Sequence, residues 1–276
     1  MVLETIHAVL GQTYCISKLY IINNASTDDT DQVIQNAGLL ENYDIEYIRL
    51  NKNSGGAGGF NYGIKLAYKE QYDWIWTMDD DVEPELNCLE KLLKYKNISQ
   101  CINAKKVFIS NGKEQNWEQF YDYTTARMIE LNNISFKNKE WCSVNVACFE
   151  GMLIHRNIVS KIGFPKKEYF LYQDDTLYGI MASYYTNVIY INNAIFKKKI
   201  DSYHNLSSFQ AYYYVRNSIW LRKDIQKLTD FRQYTKWENF LFYMNITKLL
   251  LKFVIKNLSL KMLESVYKGL IDGIKK

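Results

Sequence analysis

The sequence predicts an α/β fold, with a Rossmann-like, mostly parallel sheet flanked by helices and a helical C-terminal region. Two observations carry this. In the first eighty residues, short apolar runs rich in β-branched and aromatic residues alternate with helical stretches about every 25 residues. Beyond about residue 201 the strand pattern stops and the chain reads as helix. The expected organisation is an α/β domain over 1–200 and a helical region over 201–276.

The elements follow in order. Residues 2–12 read as a helix that ends near Gly11. Lys18-Leu-Tyr-Ile-Ile22 is a buried strand. Asn23 to Thr30 is a polar loop with Ser26 or Thr27 as N-cap for a helix over about 28–37. Ile45 to Leu50 is the next strand, Asn51 to Gly59 a glycine-rich loop, and Phe60 to Glu70 a helix. Asp73 to Met78 is the third strand. Strands are expected at 106–110 and 143–149, a short helix at 157–162 closed by Gly163 and Pro165, a helix at 176–185 and a strand at 188–191. The chain shows no internal repeats.

Composition narrows the class. A chain of 276 residues, 47% hydrophobic, can build one large domain with a real core. Cys15, Cys88, Cys101, Cys142 and Cys148 make no C-x-x-C pair, so they read as reduced thiols of a cytoplasmic protein rather than a disulfide framework or zinc site. Met1 to His7 lacks the basic-then-apolar signature of a signal peptide. Residues 201–276 hold 13 Lys/Arg against 6 Asp/Glu, whereas residues 1–200 hold 21 against 24. The basic end therefore faces an anionic partner. Its lysines are interleaved with long apolar residues, which fits an anionic membrane surface better than nucleic acid.

The most chemical segment is Trp74-Ile-Trp-Thr-Met-Asp79-Asp80-Asp81. Carboxylates at the end of a buried strand repel one another and are costly to desolvate, unless a divalent cation sits among them. Hard oxygen ligands suit Mg²⁺ or Mn²⁺, bound together with substrate phosphates. Phe170-Leu-Tyr-Gln-Asp174-Asp175 repeats the pattern: aromatics, then a carboxylate pair. In a parallel sheet, the loops at 23–28, 53–59 and 79–81 converge at the carboxyl ends of the strands. Asn53-Ser-Gly-Gly-Ala-Gly-Gly-Phe60 lets backbone approach a phosphate near a helix start. A dinucleotide fingerprint fails: from Gly56 the third glycine would be Asn61, and from Gly58 the second would be Phe60.

With these motifs in order, residues 1 to about 220 resemble a family 2 glycosyltransferase of the GT-A fold. The carrying residues are Ile22 to Asp28, Asn53 with Gly55-Gly-Ala-Gly-Gly-Phe60 and Gly63, Met78-Asp-Asp-Asp-Val82, Phe170 with Asp174-Asp175, and Tyr213-Tyr-Val-Arg-Asn217. The glycine run with a triple Asp leans toward galactofuranosyl- and rhamnosyltransferases. The resemblance implies an inverting, metal-dependent hexosyl transfer from a UDP- or dTDP-linked sugar. The sugar is galactofuranose first and rhamnose second, and the acceptor a lipid-linked glycan of a cell-surface polysaccharide. It assigns Asp175, with Asp174, to the base. The donor goes to Asn23, Asn24, Asn53, Gly55, Gly56, Gly58, Gly59, Asp79, Asp80 and Lys197. The metal, Mn²⁺ or Mg²⁺, goes to Asp79, Asp81 and His204.

Two departures from the family pattern set further expectations. A first strand of the type V-x-V-x-x-T-Y-N-R is missing, which would leave two strand edges open. Lys197 stands where the family often has a metal-binding His, and His204 compensates only if its loop folds back. A chain so altered has a rival reading as an inactive binding or scaffold protein. In the tail, Lys248, Lys252 and Lys256 line one face of a helix over 240–256, amid Leu, Phe, Val and Ile. That helix is expected to lie on the inner face of the cell membrane, or to pack on the catalytic domain or a second copy in a homo-oligomer.

Overall fold

The computed structural model describes residues 1–42, 44–115, 118–131, 136, 138–200, 206–228, 234–257 and 259–276, with side chains 249, 250, 252–254, 256 and 257 left aside. Helix α1 (Val2–Leu10) leads to strand β1 (Leu19–Asn23), α2 (Thr30–Asn36), β2 (Ile45–Arg49), α3 (Gly55–Lys69) and β3 (Trp74–Trp76). Then come β4 (Val82–Pro84), α4 (Cys88–Leu93), β5 (Cys101–Phe108) and the hairpin β6 (Glu118–Asp122) and β7 (Arg127–Glu130). Strand β8 (Trp141–Ser143), β9 (Met152–His155), α5 (Arg156–Ile162), α6 (Asp174–Ser183) and β10 (Ile189–Lys198) complete the α/β part. Three helices follow: α7 (Ser208–Leu228), α8 (Lys236–Asn257) and α9 (Leu260–Lys275).

The main sheet runs β3-β9-β5-β10-β4, with β8 also paired to β10. It is mixed: β10 is parallel to β5, while β9 runs antiparallel to both β3 and β5. Side chains alternate across it as strand geometry requires. Met152 and Ile154 of β9 join Tyr190 of β10 beneath α3, α5 and α6. Leu153, Ile189 and Ile191 point the other way, toward Leu89 and Leu92 of α4. These are the layers of an α/β/α sandwich.

Strands β1 and β2 pair in parallel but form a separate two-stranded sheet. Both β1 and β3 pack on α3, through Tyr20 and Ile75. Among the described residues, β1 pairs only with β2, and β3 only with β9. Each therefore has one edge without a strand partner among the described residues.

Some elements differ from the sequence expectation. Residues 144–151 are irregular, and the strand lies at 152–155 instead. Met-Leu-Ile-His runs straight into α5, and three apolar residues beside a helix carry no period of their own. The glycine run is not a loop: α3 begins at Gly55. Its start is held by side chains of the preceding loops. Asn24 Oδ1 accepts from Ser54 N at 3.0 Å, and Asn53 Oδ1 accepts from Gly55 N at 2.8 Å.

The C-terminal helices are docked on the sandwich. Leu221 and Ile225 of α7 share a cluster with Tyr169, Leu177 and Ile180. Helix α9 lies so close to α7 that a Cβ on Gly269 would meet Tyr212 O at 2.6 Å. Phe242 and Ile246 of α8 bury against Ile219. Among the described residues, no helix is long and apolar enough to cross a membrane.

Candidate active site

The acidic turn after β3 is shaped by its neighbours. Strand β4 pairs with β10 at Val82↔Lys198, so Asp81 lands beside the end of β10. The Thr5 hydroxyl of α1 lies 2.8 Å from the Asp80 carbonyl and 2.7 Å from that of Val82. Asp79, Asp81 and Glu150 each turn a carboxylate oxygen to within 4.8 Å of the others. Glu150 comes from the turn before β9 and is buried. Asp80 is exposed and is not one of these three residues.

Two lysines enter the cluster. Lys106 of β5 is only 2% exposed, and its Nζ donates to Glu150 Oε2 at 3.1 Å and to Cys148 Sγ at 2.9 Å. Lys198 Nζ bonds Glu150 Oε1 and lies 3.7 Å from Asp81 Oδ2. Burial raises the Glu150 carboxyl, but the two ammonium groups outweigh it and hold it below the usual carboxylate range. Crowding by protein, then the charges of Glu150 and Asp81, push Asp79 up to about 7, although its side chain still reaches solvent. Asp81 is also raised, by burial first, with Lys198 opposing.

The second acidic pair opens α6. Phe170, Tyr172 and Gln173 just before it all have positive φ (66°, 67° and 69°), a strained arrangement for non-glycine residues. Asn217 of α7 is fully buried and holds this turn, its Nδ2 donating to the carbonyls of Tyr169 (2.8 Å), Leu171 (2.6 Å) and Tyr172 (3.0 Å). Arg216 Nη2 adds bonds to the carbonyls of Glu168 and Tyr169 at 3.0 and 2.8 Å. Phe170 stacks on Tyr213 at 4.8 Å. The Tyr213–Asn217 motif is thus a brace for the turn that carries Asp174 and Asp175. Burial, then the Asp175 charge, push Asp174 up to about 8. Asp175 is raised by burial too, but the Thr176 amide and Lys106 pull it back. Lys106 bears on Asp79, Glu150 and Asp175 alike, so the two acidic turns share one electrostatic centre.

Several expected site residues are placed differently. Lys197 lies outside the acidic cluster: it is half exposed, with its Nζ 3.9 Å from Glu85. Successive strand residues face opposite sides, so Lys198 and not Lys197 meets the carboxylates. Asn23 is buried and engaged in its own loop, donating to Asp31 at 2.9 Å and Tyr47 at 2.6 Å and accepting from Ser26 N at 2.7 Å. It carries no free amide toward a nucleobase. Asn24 and Asn53 brace the start of α3 instead of standing free. Gly55, at φ +71°, serves contact within the protein, since a Cβ there would meet Phe170 O at 2.0 Å. Gly58 likewise packs on Ser54. Gly56 and Gly59 look onto open space and leave a ligand free to approach. His204 lies outside the described residues.

Glu150, Lys106, Lys198 and Cys148 escaped the sequence reading. Cys148 and Glu150 sit in an apolar stretch, while Lys106 and Lys198 belong to the lysine runs 105–106 and 197–199, where the sequence does not mark which ammonium turns inward.

The cluster suits a hard divalent cation. Its three oxygen donors match Mn²⁺ or Mg²⁺, and Asp81 Oδ1 is buried with no hydrogen-bond partner. Sheet, acidic turn and base-like pair together define a nucleotide-sugar transferase of GT-A type. Residues 1–163 match the family described as Glycosyl transferase family 2, and the chain belongs to it.

Among curated proteins, the poly-β-1,6-N-acetyl-D-glucosamine synthase of Staphylococcus epidermidis is 32% identical over 78 residues, which is 28% of this chain and 18% of that protein. The same enzyme of Staphylococcus aureus (strain COL) is 35% identical over the same length and shares. Among solved structures, S. aureus TarS superposes with TM-score 0.60 at 13% identity, covering 99% of this chain and 46% of that one. GalNAc-T7 with UDP, GalNAc and Mn²⁺ gives TM-score 0.59 at 9% identity, covering 93% and 54%. These similarities establish the GT-A-like fold. The chain spans less than a fifth of the curated relatives it matches and about half of these two solved structures.

Proposed function

We propose that this chain transfers a hexosyl unit from a nucleotide sugar to an acceptor hydroxyl, with inversion and with Mn²⁺ or Mg²⁺. Residues 1–200 would be the catalytic domain and 201–276 its helical support. The observation that carries the reading is the pairing of a three-carboxylate cluster with a buried Asp174-Asp175 turn around Lys106. Asp79, Asp81 and Glu150 would hold the cation, which neutralises charge on the leaving diphosphate when bound. At neutral pH Asp174 keeps a proton, while the Thr176 amide and Lys106 favour the charged form of Asp175. Asp175 is then the base that takes the acceptor proton. Gly56 and Gly59 leave room for the donor.

The motif resemblance favours galactofuranose, then rhamnose, as the sugar. A second reading, an N-acetylhexosamine, is supported by the relatives' names and by TarS having been solved with UDP-GlcNAc. The acceptor is read as a lipid-linked glycan at the inner face of the membrane. On α8, Trp237, Phe240, Tyr243, Leu251 and Ile255 are exposed on one stripe beside Lys248, which suits an anionic bilayer. The rival reading is a catalytically inactive glycosyltransferase that acts as a binding or scaffold protein.

The test is a calorimetric and product-release panel: UDP-galactofuranose, dTDP-rhamnose and UDP-GlcNAc, each with Mn²⁺ or with chelator. One sugar should release nucleoside diphosphate in the presence of a glycolipid acceptor. Asp81→Asn should abolish metal-dependent nucleotide binding, and Asp175→Asn should lower kcat roughly 10²–10⁴-fold with donor binding kept. Tight binding without release would establish the binder. No binding of any nucleotide would end both readings.

A further inference from the structure

The acidic cluster already contains a cation of its own. Lys198 bonds Glu150 and lies 3.7 Å from Asp81, so its ammonium stands between two of the three carboxylates that would hold a metal. Lys106 takes the other oxygen of Glu150 at 3.1 Å and is fixed in the core. Lys198 differs: it is 14% exposed, at the end of β10, on a flexible stem. With both lysines in place, three ionised carboxylates and two ammonium groups carry one net negative charge, too little to attract a dication strongly. With the Lys198 ammonium withdrawn, the same groups carry two, which a dication would neutralise. Asp81 Oδ1 is left unpartnered by this arrangement, so part of the coordination set is waiting.

We propose that Lys198 is a tethered counter-ion that closes the cluster to free metal and gives it up to a metal–diphosphate pair. The donor's diphosphate offers the ammonium a new anion, so Lys198 moves to the phosphates as the dication takes Asp81 and Glu150. Metal and nucleotide then bind with positive coupling, each strengthening the other by the same factor. The inference rests on the donor being a nucleoside diphosphate sugar. It adds that Lys198 couples the binding of metal to that of the donor.

Mn²⁺ titrated calorimetrically into the full chain, alone and then with saturating UDP, tests it. The unmodified protein should bind Mn²⁺ weakly alone and at least about tenfold more tightly with UDP. Lys198→Met and Lys198→Gln, each confirmed folded by circular dichroism, should bind Mn²⁺ alone about tenfold more tightly than the parent and lose most of the gain from UDP. Variants that bind free Mn²⁺ no better than the parent, or that keep the full UDP coupling, overturn the proposal. A second measurement uses the unmodified chain: reductive methylation read by mass spectrometry should label Lys198 faster once Mn²⁺ saturates the site without nucleotide. Unchanged labelling also overturns it. Failure of UDP to bind any of the proteins would sink the donor reading, while the Mn²⁺-alone arms still decide what Lys198 does.

Discussion

The two acidic turns look alike in sequence and are stabilised by different means. Asp79-Asp80-Asp81 and Asp174-Asp175 each follow aromatic residues and each crowd carboxylates together. At the first turn, counter-charge holds the site: Lys106 and Lys198 arrive from distant strands and fix Glu150 among the aspartates. At the second, the charge is relieved by retaining a proton on Asp174 and by the start of α6, while Asn217 and Arg216 hold a strained backbone. The lesson is that a carboxylate pair does not announce its protonation state. Burial decides it first, together with neighbours such as Asp175 and groups brought in by the fold such as Glu150 and Lys198.

The largest effect that would break this contrast comes from Lys106. Lys106→Met leaves Glu150 buried with one ammonium fewer, and removing one partner of a buried pair costs about 3–5 kcal/mol. Urea denaturation should read that loss, and Glu150→Gln in the same chain should recover part of it. A single variant within about 0.5 kcal/mol of the parent would mean that counter-charge does not hold the first turn.

At the second turn, the corresponding element is neutral. Asn217→Ala removes the Nδ2 bonds to the carbonyls of Tyr169, Leu171 and Tyr172, of which Tyr169 keeps its bond from Arg216. A loss of about 2–3 kcal/mol is expected, since buried unpaired polar groups are costly. The effect should barely change between low and high salt, because no charge is removed. A strong salt dependence would assign the brace to Arg216 instead.

The sequence made the strand-and-helix order of the first eighty residues legible, because there hydrophobic period and loop chemistry agree. It showed both acidic turns for the same reason. It did not show that β9 enters the sheet between β3 and β5, since pairing partners leave no local mark. Lys197 is named because it stands where the family often has a metal-binding His; a one-residue shift in a strand flips the face, and Ile-Phe-Lys-Lys-Lys has lysine on both. The asparagines at 23 and 24 resembled ligand contacts; only the fold reveals that Ser26, Asp31, Tyr47 and Ser54 already engage them.

The smallest and sharpest test separates proton from counter-ion. Asp174 holds its proton to about pH 8 in the fold, whereas an unfolded chain ionises it near pH 4. A carboxyl whose folded pKa is raised costs stability as pH climbs from about 4, and the cost is complete above about 8. Asp174→Asn has no such cost. It should therefore match the parent near pH 4 and gain on it steadily up to about pH 8.5, read as a Tm difference that widens with pH. Glu150→Gln should behave oppositely. The Glu150 pKa is held down by its lysines, so its charge stabilises the fold above about pH 4.5, and that benefit is lost as pH falls through its folded value. The glutamine variant should thus be less stable than the parent at neutral pH and converge on it in acid. Parallel pH profiles for the two variants would erase the distinction between the turns, because both carboxylates would then be meeting their burial in the same way.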